Sequence, residues 1–506
     1  MHTLRLLLNT TNYDKEIINK RFFALSHIHN VLVKHAKKLL KRLEADTQYQ
    51  NCLKEYIDLL KKEKPTTEEV LKKKELPSTM KDIRENLGLT ESSFQSYIKV
   101  CAKRYKKCLS SQQVQKEATR VWSGVKAVLF RNGEEIHFKK NRDFSTIGGK
   151  SNLNGVKFDK DTNSIEWIGL NITCKIPKKN ASYIYEALKD KISYCEIERK
   201  MFPNGWHYYV ILYLQGNAPK KIVVDDERKG KTMGIDIGTS TIAAVSEDMV
   251  LLQELAPDTN PYNKKIRELL YRMDISKRNK NPQKYNQDGT INKADKSKWK
   301  FSKNYFKNRD RLKSLYRQKS DYIKQCHEQL CNELIKNSEN FIIENMSFCA
   351  LQKRAKKTER QDEVSEVISK DGTVKSVYKY KKKKRFGKSL NNKAPAAFVK
   401  ILEYKSKLYG GALIKVDTAV FKASQYCHDT DTYQKCKLSE RNKMIDHKVV
   451  QRDLYSAFLL KNADESLKKP DRDKCFYEFN NFVQMCDKHI QELKSNGITN
   501  KKCFGF

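Results

Sequence analysis

The stretch Met233-Gly234-Ile235-Asp236-Ile237-Gly238-Thr239-Ser240 sets a single acid inside an apolar frame. The frame reads as a β-strand, and a lone carboxylate buried there is costly or has its pKa displaced. Two further stretches repeat the arrangement: Phe341-Ile342-Ile343-Glu344-Asn345, and Gln451-Arg452-Asp453-Leu454-Tyr455-Ser456-Ala457. Three such acids, far apart in sequence, make physical sense if the fold gathers them around divalent metal. Hard oxygen donors suit Mg²⁺ or Mn²⁺, and a pair of ions clamps the attacking and leaving oxygens of a phosphodiester. Asp236, Glu344 and Asp453 are therefore the candidate catalytic residues and metal ligands. Asp446 and Asp464 are the alternatives for the third.

Charge points to the same class of substrate. Lys and Arg number 101 against 61 Asp and Glu, a formal net charge of +40. Such an excess opposes compaction unless a polyanion neutralises it, and nucleic acid does so with release of counterions. A hydrophobic fraction of 39% supports a packed core and excludes a disordered basic tail. No run of about 18 apolar residues exists, so no membrane span is expected. Met1-His2-Thr3-Leu4-Arg5 opens no secretory h-region. Thirteen Cys without regular spacing fit a reducing prokaryotic cytoplasm.

Along the chain, residues 3–9 read as a strand and residues 13–118 as helical, with Phe22, Leu25, Ile28, His29, Leu32 and His35 at helical spacing. His27, His29 and His35 fit ordinary positions on that amphipathic helix. From about Val121 strands are predicted: 127–130, 135–138, 164–168, 194–199 and 206–213. They imply a small antiparallel β domain, barrel-like, with the helical block inserted after its first strand. Residues 221–230 read as a polar linker.

The stretch Lys264 to Lys319 carries 19 Lys or Arg and 5 Asp or Glu. Trp299, Phe301, Tyr305 and Phe306 interleave that charge, a pattern suited to phosphate contact and base stacking. Candidate nucleic-acid contacts are Arg267, Arg272, Lys277, Arg278, Trp299 and Tyr305. The run Lys381, Lys382, Lys383, Lys384 and Arg385 adds a patch within a polar excursion at 352–392, read as a loop or lid.

An acid in a first strand, another at the end of a later strand and a third on a C-terminal helix is the arrangement of the RNase H-like fold. Gly234 to Gly238, Ile343 to Asn345 and Arg452 to Ala457 resemble the three RuvC motifs of the TnpB family. These are RNA-guided nucleases encoded by IS200/IS605-type insertion sequences, related to miniature type V CRISPR effectors. Phe386-Gly387-Lys388-Ser389-Leu390-Asn391-Asn392-Lys393-Ala394-Pro395 and Phe421-Lys422-Ala423-Ser424-Gln425-Tyr426 are similar to that family as well. The resemblance covers roughly residues 230–462; the N-terminal half matches in layout alone.

The resemblance implies an α+β multidomain chain: a RuvC nuclease domain and a β-barrel wedge domain with an inserted helical recognition lobe. The wedge would span 1–12 and 119–220, and the recognition lobe 13–118. The nuclease domain would span 231–506, with a basic helical insertion at 264–320. It implies an RNA-guided DNA endonuclease that reads a short target-adjacent motif and cuts by two-metal hydrolysis. Guide RNA, double-stranded target DNA and its displaced strand would be partners, with the protein a monomer or an RNA-bridged dimer. The alternatives are a guided DNA-binding regulator with an inactive nuclease, and an RNase H-like transposase. One departure stands out. The family's four-cysteine zinc finger is reduced to Cys427 and Cys436 within a degenerate segment at 424–447. His428 and His447 do not restore zinc-finger spacing, so no zinc is expected.

Overall fold

The computed structural model describes residues 1–506 except 63–64, 131, 293, 353–359, 369–373, 381–385, 436, 438–439, 499–503 and 506. Two units form, Met1–Pro219 and Lys220–Phe506. No helix among the described residues is long and apolar enough to cross a membrane.

The first unit opens with strand β1 (His2–Leu8), whose alternating burial turns Leu4, Leu6 and Leu8 inward. Helices α1 (Asn12–Ala45), α2 (Thr47–Lys61), α3 (Thr67–Asn86), α4 (Glu91–Ala102) and α5 (Ser111–Leu129) follow. A capping box between Thr11 and Asp14 starts α1. Then come β2 (Thr146–Gly148), β3 (Lys157–Asp159), β4 (Ser164–Trp167), β5 (Leu170–Lys175), α6 (Ala181–Leu188), β6 (Ile192–Phe202) and β7 (Gly205–Leu214). The strands form one sheet in the order β2-β6-β7-β1-β5-β4-β3, so β1 lies inside it and the helical block is an insertion. No ladder joins β2 to β3 among the described residues. Asn152 bridges that gap: its N–H donates to Ser193 O of β6 (3.1 Å), and its side chain bonds both backbone groups of Phe158 on β3 (2.9 and 3.2 Å). The sheet curls on a side-chain stitch where a closed ladder was expected.

Two predicted strands are absent. Ala127 to Leu129 close α5, because Val114, Ala118, Val121 and Val125 set a helical stripe that the apolar run prolongs. That helix crosses the expected boundary at 118–119. Residues 135–138 lie outside any strand, with Ile136 alone buried among them. The histidines of α1 go three ways. His27 meets Tyr105, His35 stacks on Tyr97, and His29 bonds Glu117 Oε1 at 2.7 Å. Arg21 donates to the carbonyls of Trp167 (2.7 Å) and Ile168 (2.5 Å), tying α1 to the end of β4.

In the second unit, β8 (Thr232–Ile237), β9 (Thr241–Val245) and β10 (Val250–Glu254) form an antiparallel meander. Helices α7 (Asn260–Lys280) and α8 (Lys303–Asn337) follow, then β11 (Asn340–Glu344) and α9 (Phe348–Gln352). The stretch read as a loop contains a hairpin, β12 (Arg360–Ile368) with β13 (Val374–Tyr380), and then α10 (Gly387–Lys393). Next are α11 (Pro395–Leu408), β14 (Leu413–Val416), α12 (Thr418–Phe421), the small hairpins β15 (Tyr426–Cys427) with β16 (Thr432–Tyr433) and β17 (Asn442–Ile445) with β18 (Lys448–Gln451), and helices α13 (Arg452–Lys461) and α14 (Arg472–Ser495).

The central sheet runs β10-β9-β8-β11-β14, with β11 parallel to both β8 and β14. Met233, Ile235, Phe341 and Ile343 face Leu330, Leu334, Phe398 and Leu402 of α8 and α11. Ala243, Val245, Ile342 and Val416 share the opposite core with Leu454, Ala457 and Phe458 of α13. Helix α13 is buried on nearly every side, between this sheet and α14; each fully buried Leu or Phe there contributes roughly 1.5–3 kcal/mol. The predicted linker is strapped to this unit: the Arg228 guanidinium donates to the carbonyls of Ser338 and Tyr409, and Ile222 and Val224 pack on the core.

Candidate active site

Period-two alternation puts Gly234 and Asp236 on the same face of β8, the face turned to α13. A Cβ on Gly234 would stand 2.0 Å from the carbonyl oxygen of Ala457 and 2.2 Å from the amide nitrogen of Lys461. Only a glycine lets strand and helix approach so closely. One helical turn before Ala457 is Asp453, and two residues after Gly234 is Asp236. The contact therefore sets these two acids against each other. Ile343 pairs with Ile235, so the same register carries Glu344 alongside Asp236 at the ends of β11 and β8.

Electrostatics records the convergence. Burial, then the charges of Asp453 and Glu344, push the Asp236 carboxyl well above the usual carboxylate range, against a weaker opposing pull from Arg452 and Arg441. Burial also raises Glu344, countered by the Ala423 N–H that donates to its Oε1 at 3.0 Å. That donor comes from the 421–426 motif, where Lys422 takes a left-handed turn (φ 49°). The backbone N–H of Asn345 donates to Val416 O.

Asp453 lies in the first turn of α13, where the helix dipole favours an acid. Its Oδ2 accepts from Arg441 (3.3 Å) and its Oδ1 from Arg452 (3.1 Å). Arg452 also donates to Glu440 O at 2.7 Å, fastening the segment before the β17–β18 hairpin to the helix. Sequence reasoning missed Arg441; it arrives through the hairpin register that pairs Asn442 with Gln451. Asp446 sits in that hairpin's turn with φ 46°, and Asp464 accepts from Ser466 and from the Lys468 N–H in a turn of its own. Neither is among the charges that shift Asp236.

A cavity of ≈ 290 Å³ opens at the strand ends, lined by Asp236, Glu344, Asn345, Lys400, Glu403 and Lys415, with Lys415 and Glu403 paired at 2.9 Å. No histidine among the described residues lines it. Among the described residues, no three His, Cys, Asp or Glu side chains close around one point as a metal cage does. The Asp453 oxygens are turned to arginines, and Glu344 to a backbone amide. The donor set still fits a hard divalent cation: three carboxylates from separate elements, one held against ionisation by burial and then by the charges of the other two, a charge repulsion that a cation would relieve.

The predicted nucleic-acid contacts divide. Arg267 and Arg272 are exposed on α7. Arg278 pairs with Asp274 (2.7 Å) and lies over Tyr285. Lys277 caps the Trp299 ring at 4.0 Å, and Tyr305 packs against the apolar contact of α7 with α8. These four support the arm's own structure. Lys381, Lys382, Lys383, Lys384 and Arg385 lie outside the described residues, as does Cys436. His428 is fully buried, bonded through Nδ1 to the Tyr455 hydroxyl (2.7 Å) and ringed by Phe458, Phe476 and Phe479.

No protein-family model and no curated protein sequence matches the chain. Among solved structures it is similar to a chain of a cryo-EM Cas12f1–sgRNA–target DNA complex (TM-score 0.43) and to one of a CRISPR–Cas12f ternary complex (TM-score 0.24). Identity is 12% in both cases; the match covers 91% of this chain, and 98% and 99% of the others. At these TM-scores the likeness carries no argument about fold or function.

Proposed function

We propose that the chain is an RNA-guided DNA endonuclease of the TnpB type, cutting phosphodiesters at Asp236, Glu344 and Asp453. The observation that carries the reading is the convergence on Asp236: register and packing bring Glu344 and Asp453, each more than a hundred positions from the next acid, to the ends of β8, β11 and α13, where burial and then their charges raise the Asp236 carboxyl.

Asp236, Glu344 and Asp453 would hold the divalent ions, which when bound polarise the phosphate and lower the pKa of a water. The protein's own part is to hold these carboxylates on rigid elements. Gly234 fixes Asp236 against α13, and the Ala423 amide fixes Glu344. Arg441 and Arg452 neutralise Asp453 while no cation does. With no histidine among the described residues lining the cavity, no side chain there is placed to act as an imidazole base. The net charge of +40 supports a polyanionic partner of large footprint. Guidance by RNA rests on the motif resemblance. The intact acids favour the nuclease over the inactive regulator.

The deciding experiment exchanges the guide. A +40 chain binds many nucleic acids at low salt, so binding alone does not discriminate. Cleavage is expected at near-physiological salt only when the bound RNA matches the target, and a new guide sequence redirects the cut. RNA-free protein that cuts equally well, or a cut site indifferent to the guide, leaves a conventional RNase H-like nuclease.

A further inference from the structure

Helix α11 separates two cavities. Ala396, Val399 and Glu403 line the one that holds Asp236 and Glu344, while Ala394, Ala397 and Ile401 line a second, of ≈ 430 Å³. Lys400 lines both. The far wall of the second cavity is α8, which presents Tyr316, Lys319, Ser320, Ile323, Lys324 and His327 at the spacing of a single helical face.

These residues differ in what they have left to bind. Lys319 is buried and already donates to Asn263 Oδ1 (2.9 Å) and Asn392 Oδ1 (2.6 Å). Lys324 and Lys400 are exposed and form no ion pair among the described residues. Tyr316 shows 46% of its surface, and the floor of Ile323 and Ile401 is apolar. Two unpaired ammonium groups, an exposed phenol ring and an apolar recess are complementary to one nucleotide of an unpaired strand. The phosphate would meet the ammonium groups, and the base the ring and recess. A base in a duplex is stacked on both faces and cannot enter.

We propose that this cavity binds one nucleotide of single-stranded nucleic acid, in continuity through Lys400 with the strand whose phosphodiester lies at the carboxylates. The assignment rests on the nuclease reading of that neighbouring cavity. It makes the site selective for strands already unpaired.

The test uses the full chain with a single-stranded oligonucleotide carrying 5-iododeoxyuridine, irradiated at about 0.15 M salt and mapped by mass spectrometry. An adduct on Tyr316 is expected. The Lys324→Ser/Lys400→Ser double variant should lower its yield at least roughly tenfold, the weight of the first of the two charge-assisted hydrogen bonds it removes. The same variant should flatten the salt dependence of binding by about 0.7 for each phosphate it no longer neutralises. Lys324→Arg with Lys400→Arg restores both. Both side chains are exposed, and an unchanged melting curve verifies the fold. Adducts only elsewhere, or a Tyr316 adduct undiminished in the double serine variant, overturn the proposal and leave a solvated gap between helices. A Tyr316 adduct in a protein that cuts no DNA supports the subsite and sinks the nuclease reading. Guided cleavage without that adduct does the reverse.

Discussion

Gly234 and Ala457 meet backbone to backbone: a side chain on the first would overlap the carbonyl oxygen of the second. This contact sets the height of α13 on the sheet. Through the two-residue period of β8 and the four-residue turn of α13, it also sets Asp453 opposite Asp236.

Gly234→Ala should therefore damage fold and site together. The atoms its methyl would strike are main chain on both sides, so no rotamer change relieves them. We expect a loss near the upper end for overpacking, about 3 kcal/mol, read by chemical denaturation. Gly238→Ala is the control. Its nearest neighbours are the Thr241 hydroxyl at 3.0 Å, which can rotate, and the Thr241 carbonyl oxygen at 3.3 Å, which needs to give only a few tenths of an ångström, so a loss comparable to that of Gly234→Ala would refute the backbone argument.

Asp236→Asn should separate activity from stability. The buried carboxyl is held against ionisation by its surroundings and by two acidic neighbours. Without divalent metal, the uncharged amide should raise the melting temperature while cleavage is abolished. Glu344→Ala and Asp453→Ala should also abolish cleavage with nucleic-acid binding retained, whereas Asp446→Ala and Asp464→Ala should still cut. Full cleavage by Asp453→Ala would move its role to one of the latter pair.

Acid should weaken the second unit. Burial holds His327, His428 and His489 below their ordinary value of 6.5. Below that pH the unfolded chain takes up protons that the folded chain refuses. Stability is thus full above about 6.5 and falls as pH drops toward the lowered folded values. His327 shows why: its Nε2 donates to Lys393 O at 2.9 Å, and its buried Nδ1 has no partner among the described residues to receive a new proton's bond. Melting temperatures at about pH 7.5 and 5.5 should differ, and by less in His327→Gln. The raised carboxyls of Asp236 and Glu344 act in the opposite sense, so the difference between parent and His327→Gln is the deciding quantity: a pH dependence unchanged in that variant would contradict this.

Cys427→Ser combined with Cys436→Ser should leave melting and cleavage nearly unchanged. His428, the neighbouring imidazole, is already committed to Tyr455 within an aromatic cage. Stoichiometric zinc that disappears on the double substitution would show the segment to be a true metal site.

Where a segment's own periodicity decides its structure, sequence reading and structure coincide. Residues 164–167 and 340–344 are strands, and the stripe from Phe22 to Leu39 is one helix. Where neighbours decide, the reading failed. Ala127 to Leu129 has strand composition but extends a helix already packed through Val121 and Val125. Val250 to Glu254 went unread because its five residues are a strand only in partnership with β9. Residues 352–392 looked like a loop because a hairpin ladder is made of backbone bonds that composition does not show.

The same division runs through the site. The sequence alone singled out Asp236, Glu344 and Asp453, because an acid in an apolar frame is conspicuous wherever it stands. The tertiary structure alone decided what surrounds them: Arg441 on Asp453, the Ala423 amide on Glu344, and Lys400 between two cavities. Those relationships join residues distant in the chain through strand register and helix packing. Burial and Coulomb interaction depend on distances in space, which the order of residues does not contain.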